Sequence, residues 1–120
     1  MKSFPILLMI FACSQTIAQT APSKEIQIKM ALLAAPEDQR SGATVYGYDA
    51  KGEIMLFRQG TNQTVCLADE SSREGLSVSC YHKSLQPFMA RGWQLRKEGK
   101  TPDEIFKIRE VEAKSGKLNW

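Results

Sequence analysis

The side chains best placed for chemistry cluster in CLADESSREGLSVSCYH, which runs from Cys66 through Cys80 to His82. Two sulfurs at this spacing have three ordinary uses: a structural disulfide, half of a metal site, or a redox couple. Tetrahedral zinc takes four Cys or His ligands, usually as two spaced pairs. This chain offers a single histidine and one further cysteine, Cys13. Redox couples are usually Cys-x-x-Cys, which this is not. A staple is therefore the expected use, with no metal and no cofactor. Such a bridge closes a loop of about 15 residues and contributes about 3 kcal/mol on the chain-entropy estimate.

The remaining candidates are weaker. A hydrolytic triad needs His82 beside a serine and an acid. Serines are plentiful, but the Gly-x-Ser-x-Gly elbow is missing. No catalytic residue is expected, and a small hydrolase built around His82 is the alternative. The carboxylate pairs Asp69-Glu70 and Asp103-Glu104 read as loop surface and helix cap. Gly60-Thr61-Asn62 matches no phosphate-cradling loop, and Asn62-Gln63-Thr64, a glycosylation acceptor by pattern, reads as a turn. A tentative binding surface is formed by Tyr46, Tyr48 and Tyr81 on strands, His82, and the Arg91, Trp93 and Arg96 group on a helix. The competing reading for all of them is ordinary packing with solvated charges.

Redox chemistry depends on compartment, and the N-terminus speaks to it. MKSFPILLMIFACSQTIAQT places one cation, Lys2, before an apolar run and a small-residue exit. This is the layout of a secretory signal peptide, with cleavage expected after Ala18. The apolar run is too short to cross a bilayer, which takes about 20 residues. Ile10-Phe11-Ala12-Cys13 partly matches a lipobox, so a lipid anchor at Cys13 is the alternative product. Residues 1–18 are thus read as signal peptide and 19–120 as one small exported domain without a mature transmembrane helix. The expected location is periplasmic or secreted, or outer-membrane lipoprotein if Cys13 is modified. An exported chain meets oxidant, which favours the disulfide.

Composition agrees with an ordinary globular domain: 42% hydrophobic and 24% charged, with a net charge of +3. That charge is too small to argue for nucleic acid. The segment from Tyr81 onward is more basic than the rest, which reads as solvated helix faces.

The elements that must position these residues follow from local pattern. Ser23 caps a helix from Lys24 to about Ala35, with Ile26, Met30 and Leu33 at helical spacing and Ile28 and Leu32 widening the apolar stripe. Pro36 stops it, and residues 37–42 read as loop. Then the period changes. Four β-rich runs follow at about 43–48, 54–58, 64–68 and 76–81, with Asp49-Ala50-Lys51-Gly52 as the first turn. Taken in order they make a four-stranded antiparallel meander, and the last hairpin sets Cys66 opposite Cys80. A helix capped by Ser84 is expected over 85–98, stopped by Gly99. A second follows Thr101, where Thr101-Pro102-Asp103-Glu104 is a capping box, with Ile105, Ile108 and Val111 facing inward. The expected fold is α+β: one helix before the sheet, two after it, and one disulfide.

The residue order GTNQTVCLAD, CYHKSLQPFMARG, TPDEIFKIR and SGKL resembles a family of small exported bacterial proteins of no assigned function. The family pattern runs on past Leu118-Asn119-Trp120, which implies a C-terminal truncation or a natural variant here. The expected function is a non-enzymatic domain that binds a protein or an envelope component.

Overall fold

A computed structural model describes residues 21–118, together with Ser3 and Pro5. Apart from those two residues, the expected signal peptide, its cleavage site and Cys13 lie outside the described residues. The fold is α+β. Helix α1 (Lys24–Leu32) precedes a sheet of β1 (Thr44–Tyr48), β2 (Ile54–Arg58), β3 (Thr64–Leu67) and β4 (Ser79–His82). Helices α2 (Gln86–Lys97) and α3 (Pro102–Lys114) follow. Residues 37–42, expected as loop, and 83–85 form short 3-10 turns.

The expected antiparallel meander is corrected to a mixed sheet in the order β2-β1-β3-β4. β1 pairs antiparallel with β2, while β3 lies parallel to β1 on its other side. The hairpin β1–β2 forms as its turn demands. Asp49 Oδ1 accepts the Lys51 and Glu53 N–H groups, and Gly52 takes a left-handed φ of 78°. Residues 59–63 then carry the chain from β2 across the entrance of β1. The Thr61 and Asn62 N–H groups both donate to Gly42 O, at 2.7 and 3.0 Å. Gly60 donates to Thr44 Oγ1. A Cβ at Gly60 would stand 2.3 Å from Gly42 O and 2.4 Å from Thr44 N, so only glycine lets the two strands of chain cross this closely. Arg58 fastens the crossing through Ala43 O and Arg40 O. A parallel pair needs a long return between its strands, and β2 itself supplies it.

Strand β4 pairs antiparallel with β3 and sets Cys66 opposite Cys80. The two are disulfide-bonded, as expected. β4 starts later than expected, at Ser79, and Leu76 is exposed.

Alternation along the strands gives the sheet two faces. One carries Val45, Gly47, Cys66 and Cys80 and lies beneath α1. Ala31, Ala35, Ala43, Val45, Cys66 and Ala68 form its core, with Ile28, Leu32 and Cys80 packed alongside. The expected apolar stripe of α1 holds only at its Ile28–Leu32 edge. Ile26 and Leu33 are 50% and 66% exposed, while Gln27 and Ala31 are buried. Small Ala31 lets the helix settle onto the disulfide, and Cys80 Sγ lies 3.5 Å from Ala31 O. A Leu at that height would hold the helix off the sheet. Gly47 leaves room for both the Phe57 ring of β2 and Gln27 of α1, since a Cβ there would sit 2.2 Å from the ring and 2.7 Å from Gln27 Oε1.

The other face carries Tyr46, Tyr48, Leu67, Ser79 and Tyr81. Above it stands the α2–α3 hairpin, turned by Gly99 at φ 88°. Thr101 and Glu104 form the expected capping box. Leu95 and Ile105 are buried, and Arg91 grips Glu112 through two nitrogens, tying α2 to α3. Two expectations fail in this hairpin. Ser84 does not cap α2: it lies inside the 3-10 turn of residues 83–85, which His82 Nδ1 caps by accepting the Ser84 N–H, and α2 begins at Gln86 with Leu85 at its N-cap and no side-chain cap bond. Val111, expected inward, is 66% exposed, because α3 meets its neighbours through Ile105 and the Glu112 side.

Candidate functional site

Between the tyrosine face and the helix hairpin lies a cleft of about 560 Å³, and a smaller one of about 330 Å³ sits beside it. Tyr48, Trp93, Arg96 and Glu70 line both. Sheet, loop and helix each contribute. Tyr48 ends β1, where β3 has already stopped, and its backbone would be unpartnered on that side. Gln27 of α1 completes the ladder instead. Its Oε1 accepts the Tyr48 N–H and its Nε2 donates to Tyr48 O, both at 2.9 Å, with a second donation to Pro22 O at 2.8 Å. Buried backbone groups need such partners, so a polar side chain sits where an apolar stripe was expected.

Trp93 comes from α2 and meets Tyr46, their ring centroids 5.0 Å apart at an interplanar angle of 52°. Offset, tilted aromatic pairs of this kind contribute about 0.5–1.5 kcal/mol beyond area burial. Three residues further on, Arg96 reaches the loop between β3 and β4. It holds the Glu70 carboxylate through both terminal nitrogens, at 2.8 Å for the Nη1–Oε2 bond. Arg73 Nε bonds the same carboxylate at 3.0 Å, and Ser72 Oγ donates to it. The Arg96 hydrogen bonds hold the Glu70 carboxyl below the ordinary glutamate range, and Glu70 in turn raises Arg96. Asp69 pins the far end of the loop by accepting the Ser77 N–H. Thus a loop rich in serine and charge, bracketed by the disulfide, is ordered by polar contacts rather than by burial.

The structure divides the tentative binding surface. Tyr46, Tyr48, Trp93 and Arg96 are brought together. Tyr81 lies on the same sheet face, but its hydroxyl donates to Gln86 Oε1 at 2.7 Å, and burial pushes its phenol well above the ordinary value. Burial, and then the Glu70 charge, raise Tyr48 as well. Arg91 is occupied by Glu112. His82 is exposed, with Nδ1 2.9 Å from Ser84 Oγ, and serves the turn into α2. That placement gives the His82 hydrolase alternative no support. Asn62 is a turn residue, donating to Gln39 O and accepting from Thr64 N–H.

Sequence reasoning missed Glu70, Arg73, Lys100 and Arg109, all of which line the larger cleft. By its sequence Glu70 is loop surface, since nothing local distinguishes an Asp-Glu pair on a loop from one gripped by a distant arginine. Apolar residues such as Leu67, Met89 and Ile105 complete the lining. Among the described residues no group of three His, Cys, Asp or Glu could hold a metal ion, and no helix is long and apolar enough to cross a membrane. Compared with protein-family models, curated proteins and solved structures, the chain matches none.

Proposed function

We propose that this chain is an exported, disulfide-stapled binding domain, without catalytic chemistry of its own, that holds a ligand in the cleft between its tyrosine face and the α2–α3 hairpin. One observation carries the reading. Tyr48, Trp93 and Arg96, from a strand and a helix far apart in sequence, converge on a concavity of about 560 Å³. Small-molecule sites have this character: a partly apolar hollow of about 300–1,000 Å³ with a few placed polar groups. Export is supported by the N-terminal residue pattern and by the disulfide, which persists in oxidising compartments. The resemblance to small exported bacterial proteins points the same way and supplies no activity.

Binding is tested by amide NMR on protein purified from the cells that export it, with a library of aromatic and aliphatic fragments. Shift changes grouped on Tyr48, Trp93 and residues 67–70 are expected. Changes scattered over the surface, or none in the cleft, refute the reading. Intact mass tests the compartment. A chain beginning at Gln19 is expected, and a chain retaining Met1 would overturn export.

A further inference from the structure

The charges of the larger cleft do not cancel. Glu70 is answered by Arg96 and Arg73 together, and Asp69 by the Ser77 N–H. Two cations remain, Lys100 in the turn between the helices and Arg109 on α3. Neither has a carboxylate partner among the described residues. Arg109 is the more telling. Its guanidinium rests 4.1 Å from the centre of the Phe88 ring, and Nη1 donates to Phe88 O at 3.3 Å. Its Nε is buried without a hydrogen-bond partner. Gly92 makes the room it occupies, since a Cβ there would stand 2.6 Å from Nη1. A buried or half-buried cation is normally paired, and this one is held in place by aromatic face, carbonyl and helix packing instead.

Resting on the reading of the cleft as a binding site, we propose that its ligand is an organic anion: a carboxylate or phosphate group, met by Arg109 and Lys100, on an apolar or aromatic body that lies against Trp93, Met89 and Leu67. The guanidinium fork favours a planar or tetrahedral oxyanion over a halide. The apolar lining explains why the site is not merely a patch for inorganic ions. Desolvation lowers the Arg109 pKa, the cost an incoming anion would relieve.

The test uses two fluorescent probes that differ by one charge: anilinonaphthalene sulfonate, and neutral phenylnaphthylamine, which lacks the sulfonate. The sulfonate should bind the intact protein at one site per chain, at least about tenfold more tightly than the neutral probe, the worth of one charge-assisted hydrogen bond. Benzoate or phenyl phosphate should displace it, and benzyl alcohol should not. Arg109→Gln and Lys100→Gln should each weaken sulfonate binding by about tenfold and weaken the neutral probe by clearly less, while Arg109→Lys, which keeps the charge but not the fork, restores only part of the sulfonate binding. Lys100 is exposed, so its substitution reads charge without threatening the fold, and it decides the matter if Arg109→Gln does not fold. Equal binding of both probes, with NMR shifts at Trp93, overturns the anion and leaves the binding cleft standing. Sulfonate binding that ignores both substitutions also overturns it. No shift at Trp93 with either probe or with any fragment removes the cleft as a site, and this inference with it.

Discussion

Gln27 should be worth more to this fold than any apolar residue on its helix. It is 4% exposed and makes three hydrogen bonds, two of them to the two backbone groups of Tyr48. Gln27→Ala removes all three and strands the Tyr48 N–H and carbonyl at the end of β1. Neutral hydrogen bonds contribute about 0.5–1.5 kcal/mol each, and a stranded buried group costs about 1–3 kcal/mol. Allowing for water reaching part of the site, the loss comes to about 3 kcal/mol. A domain of about 100 residues has about 5–15 kcal/mol in all, and a loss of this size lowers the melting temperature by about 12–24 °C. Gln27→Glu should be comparably damaging, because a carboxylate sets acceptor against acceptor at Pro22 O and Tyr48 O. Thermal and urea unfolding followed by circular dichroism measure both variants. The control is Ile26→Ala, one position away and half exposed, which should cost about 1 kcal/mol, well below a buried truncation. If Ile26→Ala costs as much as Gln27→Ala, α1 faces the sheet through its apolar stripe and the reasoning fails. Fragment binding gives a second readout, since loosening Tyr48 should weaken the cleft.

Three further outcomes follow from particular contacts. Replacing Cys66 and Cys80 together by alanine should cost about 3 kcal/mol, with amide exchange rising most in β4 and residues 69–78; thiol titration of the unreduced, unfolded mature protein should find no free thiol, and two would sink the staple. Gly60→Ala should destabilise by about 3 kcal/mol or more, because the new Cβ meets backbone that cannot give way; an unchanged urea midpoint would mean the chain does not cross β1 there. Glu70 has its folded pKa lowered, chiefly by Arg96, so its stabilising contribution is present above the ordinary glutamate range and is lost as pH falls through the folded value. Unfolding midpoints taken from neutral to about pH 3 should therefore fall less steeply for Glu70→Gln than for the parent, and parallel curves would deny the Glu70–Arg96 link that role.

Signals confined to a few neighbouring residues were legible in the sequence. The Thr101–Glu104 capping box, the Asp49–Gly52 turn and the Gly99 stop each depend on backbone groups within a few positions, and each formed as its chemistry requires. The disulfide was legible too, because elimination left two sulfurs and one hairpin to bring them together. What failed was whatever depended on distant partners. The parallel β1–β3 pairing turns on whether Gly60 can lie against Gly42 and Thr44, and strand propensity says nothing about which neighbour a strand will take. The face of α1 is rotated from the Ile26–Leu33 line toward Ile28, Ala31 and Leu32, and carries Gln27 inward because β3 ends early and leaves Tyr48 to it. The helical turn begins earlier than the Ser84 signal implies, because His82 Nδ1 accepts the Ser84 N–H and caps the 3-10 turn, which leaves Ser84 inside it. The cleft was the least legible feature of all. Composition and local pattern determined an α+β domain with a staple and a helix hairpin, but Glu70, Arg96 and Arg109 came to line one cleft only when the tertiary fold decided which charges were answered and which were left over. A charge has no partner in one dimension, and pairing is set by distances that the packed chain alone defines.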